Sequence, residues 1–222
     1  MTCFQISRTR AATLLLVGAL NLLGGCATPI ASQESAAPDA STDASANTTR
    51  QYQQAIELGG RLSLRYERDG LEQLLDGKFT WNQMPGLTRI ALFSPFGQTL
   101  ASIEVTPTLS TLLQSGQPSR SEANVDALIA STLGWPLPIA GLRDWLQGFA
   151  LDQNGQPHVA DAGDKAAFIK TADGWLVRYP LWEKGHPKRI DLQRLTSQAG
   201  NVNLRIVLDN WQEKPAANRG PG

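Results

Sequence analysis

The amino-acid sequence predicts a mainly β domain: a large antiparallel sheet, curled or closed into a barrel, with helices inserted mid-chain. Three observations carry this. Apolar and polar residues alternate in run after run, as in "RLSLRYE", Arg61 to Glu67. Turn signals such as Asp69-Gly70, Pro85-Gly86 and Ala172-Asp173-Gly174 separate those runs at hairpin spacing. One central segment changes to helical spacing, and helices cover a sheet more readily than they stand alone.

The 222 residues are 41% hydrophobic and 18% charged, enough for one large domain with a core. The formal net charge is zero and the pI is near 6.7, so no polyanion-binding surface is expected and nucleic acid is not a partner. His158 and His186 have no companions at metal-ligand spacing, so no metal site is expected.

At the N-terminus, Arg8 and Arg10 precede the apolar run "AATLLLVGALNLLGGC". This reads as a secretory signal peptide over residues 1–25, too short to remain as a membrane span. Leu23-Gly24-Gly25-Cys26 resembles the lipobox of bacterial lipoproteins, whose cysteine is diacylated and becomes the mature N-terminus. Cys3 leaves with the leader, so Cys26 is the sole mature cysteine and forms no disulfide. Loss of the leader leaves 18 basic residues against 20 acidic ones, a net charge of −2. Two or more acyl chains anchor a protein stably where one does not. Ala27 follows the cysteine; the lipoprotein pattern places an aspartate there for inner-membrane retention, so its absence implies the outer membrane. Residues 26–49 are rich in Ala, Ser, Thr, Asp and Pro and hold no aromatic residue. They form a tether with a span of roughly 25–30 Å.

The domain is expected over residues 50–213, with a polar tail over 214–222. "NTTRQYQQAIE", Asn47 to Glu57, is expected to open it as a helix, with Tyr52, Ala55 and Ile56 on one face. "RLSLRYE" then puts Leu62, Leu64 and Tyr66 on the buried face of a strand. "KFTWNQ" repeats the pattern with Phe79 and Trp81 inward. "TRIALF" and "QTLASIEV" flank a turn at Pro95-Phe96-Gly97, and "STLLQSG" adds a further hairpin strand ending at Gly116. Ser119 to Glu122 spells a capping box for a helix carrying Val125, Leu128, Ile129 and Leu133, which Gly134 ends. Pro138 starts a short helix with Leu142, Trp145 and Leu146 on one face, closed by Gly148. "KAAFIKT" and "GWLVRYP" form the next hairpin, with Trp175, Val177 and Tyr179 inward. "RIDLQRL" and "NVNLRIVLDNW" form the last, with Val202, Leu204, Ile206 and Leu208 on one face. The total is nine to eleven strands.

No G-x-S-x-G, H-E-x-x-H or glycine-rich nucleotide loop occurs, so the chain is not expected to be an enzyme. Ligand binding, transfer and scaffolding remain. Alternation does not separate a filled core from a lipid cavity, since both are apolar.

In order along the chain stand the lipobox, "GRLSLRY", "FTWNQ", "SPFGQ", "LGWPLPIAGLRDWLQG", "DGWLVRY" and "VLDNW". In these motifs, over roughly residues 50–211, the sequence resembles the LolB family, outer-membrane receptors of the lipoprotein localisation pathway. The resemblance implies an incomplete, unclosed antiparallel β-barrel covered by about three helices and enclosing an apolar cavity for acyl chains. It implies a chain anchored through Cys26 at the inner leaflet of the outer membrane and facing the periplasm. Its partners would be a LolA-type soluble periplasmic carrier, client outer-membrane lipoproteins and outer-membrane phospholipid, with no cofactor and a monomeric state. The loop Pro95, Phe96 and Gly97 would reach the membrane; the family often has leucine where Phe96 stands. Leu64, Tyr66, Phe79, Trp81, Ile90, Leu92, Ile103, Trp145, Trp175 and Tyr179 are the inward apolar candidates for the cavity wall. The alternative is an anchored scaffold with a filled core.

Overall fold

Strand β1 (Ile56–Arg68) pairs on one side with β2 (Leu71–Met84) and on the other with β12 (Gly200–Glu213), so the first and last strands of the domain meet. The computed structural model describes residues 50–165 and 167–214. The leader, Cys26, the tether and the polar tail beyond Lys214 lie outside the described residues.

From β1 and β2 the sheet runs through β3 (Leu87–Phe93), β4 (Thr99–Val105), β5 (Ser110–Gln114) and β6 (Arg120–Glu122). From β12 it runs through β11 (His186–Thr196), β10 (Leu176–Glu183) and β9 (Ile169–Lys170). All these neighbours are antiparallel, and the order is β6-β5-β4-β3-β2-β1-β12-β11-β10-β9. The end strands β6 and β9 do not pair, so this ten-stranded sheet is not closed. Strands β7 (Phe149–Leu151) and β8 (Pro157–Val159) form a separate ribbon. The described strands number twelve, slightly more than the sequence predicts, because β6 to β9 hold only two or three residues each.

Local chemistry accounts for the bends. Asp69 and Gly70 both take positive φ, 54° and 74°, as a two-residue hairpin turn of the primed type requires. The β1–β12 register shifts at Gly59/Gly60. A Cβ at Gly60 would stand 2.2 Å from the Val207 carbonyl oxygen, so only glycine permits this close approach of backbones.

Two helices form among the described residues, α1 (Val125–Leu133) and α2 (Ile139–Trp145), against the three expected. The opening helix is the one that does not form: residues 50–55 run as irregular chain into β1. Its backbone partners come from elsewhere. Gln53 N–H donates to Gln147 Oε1 at 2.8 Å, and the Gln53 carbonyl accepts from Gln147 Nε2 at 3.1 Å and Gln83 Nε2 at 3.4 Å. Those buried glutamines hold the segment more firmly than a lone turn of helix without a wide apolar stripe. The capping box does not form either, because Arg120–Glu122 extends as β6. Asn124 caps α1 instead, its side chain accepting from Asp126 N–H at 2.8 Å and Ala127 N–H at 3.1 Å. Gly134 ends α1 in the left-handed region at φ 85°. Asp126 also accepts from Ala140 N–H at 3.0 Å, supplying the N-terminal bond that Pro138 does not give α2 and tying the two helices together.

On the outer face, Asp191 binds three arginines. Its carboxylate accepts from Arg178 at 3.0 Å, Arg189 at 2.9 and 2.8 Å and Arg205 at 3.3 Å, while its side chain is only 8% exposed. Burial alone would raise its pKa; the bonds from Arg189 and Arg178, the Arg189 charge and the Arg205 bond outweigh it and hold the carboxyl below the usual range. Asp191→Asn is expected to cost about 1–3 kcal/mol in denaturant unfolding, since the partly buried arginines lose their counter-charge. A depressed carboxylate stabilises the fold above its unfolded pKa, about 3.9. The parent should therefore lose this contribution as pH falls through the lower folded value, whereas the variant should show no such loss.

Candidate functional site

The sheet and helices enclose an apolar cavity of about 260 Å³. Leu62 and Leu64 of β1, Leu75, Phe79 and Trp81 of β2, and Leu204 and Ile206 of β12 form its floor. Ile90 and Leu92 of β3, Leu100, Ala101 and Ile103 of β4, and Leu112 of β5 form one wall. The opposite wall is helical: Ile129 and Leu133 of α1, Leu137 of the connection, and Ile139 and Leu142 of α2. Gln114 and Thr132 are the only polar residues in the lining.

This lining follows from register. Leu64 stands between Leu75 and Leu204, and Leu62 opposite Ile206, so alternating positions on three adjacent strands face one space. Exposure of the lining falls from one end to the other. Leu100 is 38% exposed, Leu75 and Leu92 are half-buried, and Trp81 is 2% exposed. The cavity therefore opens beside the β3–β4 loop and is blind toward Trp81. Behind that blind end, Trp81 Nε1 donates to Gln83 Oε1 at 3.3 Å, and Gln83 Nε2 donates to the Tyr52 hydroxyl at 3.1 Å.

The loop at the mouth is Ser94–Gln98, between Phe93 and Thr99, which pair directly. It satisfies its own backbone. Ser94 N–H donates to the Gln98 carbonyl at 2.8 Å, Gly97 N–H to the Ser94 carbonyl at 2.9 Å, and Gln98 N–H to Ser94 Oγ at 3.2 Å. Gly97 sits at φ 91°, which favours glycine. The turn thus holds its shape without the Phe96 ring, which is 95% exposed. Leu92 and Leu100, on either side of the loop, both line the cavity.

Of the residues singled out from sequence, Leu64, Phe79, Trp81, Ile90, Leu92 and Ile103 come together around the cavity. Tyr66, Trp145, Trp175 and Tyr179 do not; each is corrected to a packing position. Tyr66 lies against Trp135, with ring centroids 5.3 Å apart. Trp145 covers Gly141, where a Cβ would meet its ring at 2.7 Å. Trp175 is fully buried at the start of β10, under Arg194. Tyr179 is buried beside Trp182, and burial pushes its phenol far above the ordinary range. The helical half of the lining was not singled out. Its signal was the i, i+4 pair Ile129 and Leu133, which names a buried face but not what it faces.

A profile of the family "Outer membrane lipoprotein LolB" matches residues 54–211, most of the chain. The chain belongs to the LolB family. Outer-membrane lipoprotein LolB of Cupriavidus necator is 36% identical over 92% of this chain and 98% of that protein. The LolB of Cupriavidus taiwanensis is 35% identical over 92% and 98%, and that of Ralstonia nicotianae 33% identical over 90% and 97%. Among solved structures, the LolA superfamily protein NE2245 from Nitrosomonas europaea aligns at a TM-score of 0.40 and 10% identity, covering 75% of this chain and 89% of that one. That superposition is too loose to bear on the fold. Membership of the LolB family places the chain among outer-membrane lipoproteins, and no described helix is long and apolar enough to cross a membrane.

Proposed function

We propose that this LolB-family chain is an outer-membrane receptor. It takes lipoproteins from a soluble LolA-type periplasmic carrier, covers their acyl chains in the apolar cavity and releases them into the inner leaflet of the outer membrane. The observation that carries this reading is the continuity of cavity and loop: Leu92 and Leu100 line the cavity mouth, and the strand ends beyond them hold the exposed Phe96. An acyl chain leaving the mouth would pass this loop, and the same ring would enter the bilayer first. In this reading Cys26 carries the acyl anchor, residues 26–49 are the tether, and residues 50–213 act as a monomer needing no cofactor.

The energetics support it. Each acyl CH₂ moved from water to an apolar site gains about 0.8 kcal/mol, so the chains cross water only while covered. Without a nucleotide, each handover must run downhill, and the last acceptor is the bilayer. A cavity of about 260 Å³ is smaller than the roughly 300–1,000 Å³ of pockets for drug-sized ligands. Loading several acyl chains therefore requires the cavity to widen. The α1–α2 wall would be the side to yield, since it stands outside the hydrogen-bonded sheet that forms the floor and the other wall.

A fluorescent fatty-acid analogue should bind the purified protein and be displaced by palmitate, whereas short-chain acids should not compete. Absence of binding would favour the alternative, an anchored scaffold whose apolar interior serves only as core.

A further inference from the structure

Beside the loop, the outer face of the sheet carries a row of cations. Lys78 on β2 lies opposite Arg61 on β1; Arg61 in turn lies opposite Val207 on β12, which faces Arg189 on β11. The next row holds Asp76, Ser63, Arg205, Asp191 and Arg178. Five cations thus stand against Asp76, Asp191 and the Asp209 that binds Arg61, an excess of two positive charges in a chain of zero formal net charge. A hollow of about 260 Å³ lies among Arg61, Lys78, Arg205 and Asp76, with the small Ser63 leaving it room, Val207 and the chain at Leu62 and Gly77 completing a mostly apolar lining, and Pro95 of the loop in its wall. Arg61 and Arg205 are held in place by Asp209 and Asp191, while Lys78 makes no ion pair among the described residues.

We propose that this hollow beside Pro95 binds the phosphate of an anionic bilayer lipid. Two arginines and a lysine lining one hollow suit a phosphate at its edge, through the arginine N–H donors not already bound to Asp209 and Asp191 and through the lysine's mobile point charge. The source is assigned to a lipid headgroup because the hollow shares its rim with the loop of Phe96. An apolar tip with cations beside it matches the two layers of a bilayer interface, acyl chains below and phosphates above. The inference rests on the membrane-facing reading of that loop and adds a headgroup contact, which would fix how deeply and at what angle the mouth meets the membrane.

The mature chain, residues 26–222, carrying Cys26→Ala so that neither leader nor acyl anchor contributes, is titrated with phosphatidylcholine vesicles with and without phosphatidylglycerol. The parent should bind the anionic vesicles more tightly, with an advantage that fades as salt rises. Lys78→Gln and Arg61→Gln should each weaken binding to anionic vesicles about fivefold. Neither should change binding to neutral vesicles. Asp76→Asn should strengthen anionic binding by a similar factor, a gain that misfolding would not produce. Phe96→Glu should weaken binding to both vesicle types, so the loop and the hollow fail separately. Equal affinity of the parent for the two vesicle types overturns the proposal, as does competition by millimolar inorganic phosphate, which would mark a free-anion site. Unchanged vesicle binding with slower uptake from the carrier assigns the surface to a protein partner and also overturns it.

Discussion

Replacing Phe96 by glutamate should leave the fold and the uptake of lipoprotein intact and abolish delivery to the bilayer. The ring is 95% exposed, and the turn beneath it is closed by bonds of Ser94, Gly97 and Gln98 alone. Its removal therefore takes nothing from the core, and thermal unfolding should shift by no more than about 0.5 kcal/mol. At a membrane the same ring is worth about 1.5–3 kcal/mol of apolar burial, or roughly 10- to 150-fold in transfer. A carboxylate forfeits that gain and adds a desolvation cost of its own. Phe96→Leu should retain delivery. The measurement is movement of lipoprotein from the loaded receptor to vesicles, with a melting curve on the same sample. An unfolded Phe96→Glu variant would mean that the ring packs under the loop and serves the core.

Filling the cavity should separate stability from function. Ala101 is half-buried, lines the cavity and stands opposite Leu92 on one side and Gln114 on the other. Ala101→Phe places a ring in existing space, so the protein should gain about 1 kcal/mol or more of stability from the added apolar burial. Binding of the fatty-acid analogue should fall at least about tenfold, because the space it needs is occupied. Denaturant unfolding and a binding titration read the two effects. A destabilised variant with normal acyl binding would show that the cavity is an incidental gap and that acyl chains bind elsewhere.

Much of the architecture was legible because local signals and tertiary packing agree. The alternation of Leu62, Leu64 and Tyr66, or of Val202, Leu204, Ile206 and Leu208, reports directly which side of a strand faces inward. Asp69-Gly70 and Gly174 mark turns that need positive φ, and Val125, Leu128, Ile129 and Leu133 mark α1. The irregular opening segment is not legible locally because the partners of Gln53 are Gln83 and Gln147, 30 and 94 residues away, which no local window contains. Ser-x-x-Glu at 119–122 fits an edge strand as well as a capping box, and pairing with β5 decides between them. The cavity was legible only in part. Alternation tells which face is inner, so Trp81 and Trp175 look alike in sequence. They differ because Trp81 faces the helices across a gap, while Trp175 is fully buried beneath Arg194 and lies off the cavity. Phe96 is legible as a turn residue, since Pro95 and Gly97 mark a turn and turns lie at the surface; that its ring stays off the core is shown only by its exposure.

In the proposed route, one apolar cavity receives the lipoprotein and the loop at its mouth passes it on. The direct measurement mixes the purified receptor with carrier loaded with radiolabelled lipoprotein, with no nucleotide, and then adds vesicles of outer-membrane lipid composition. Label should move from carrier to receptor and then to the vesicles; Ala101→Phe should block the first step and Phe96→Glu only the second. Label that stays on the carrier in the presence of the parent protein would rule this route out.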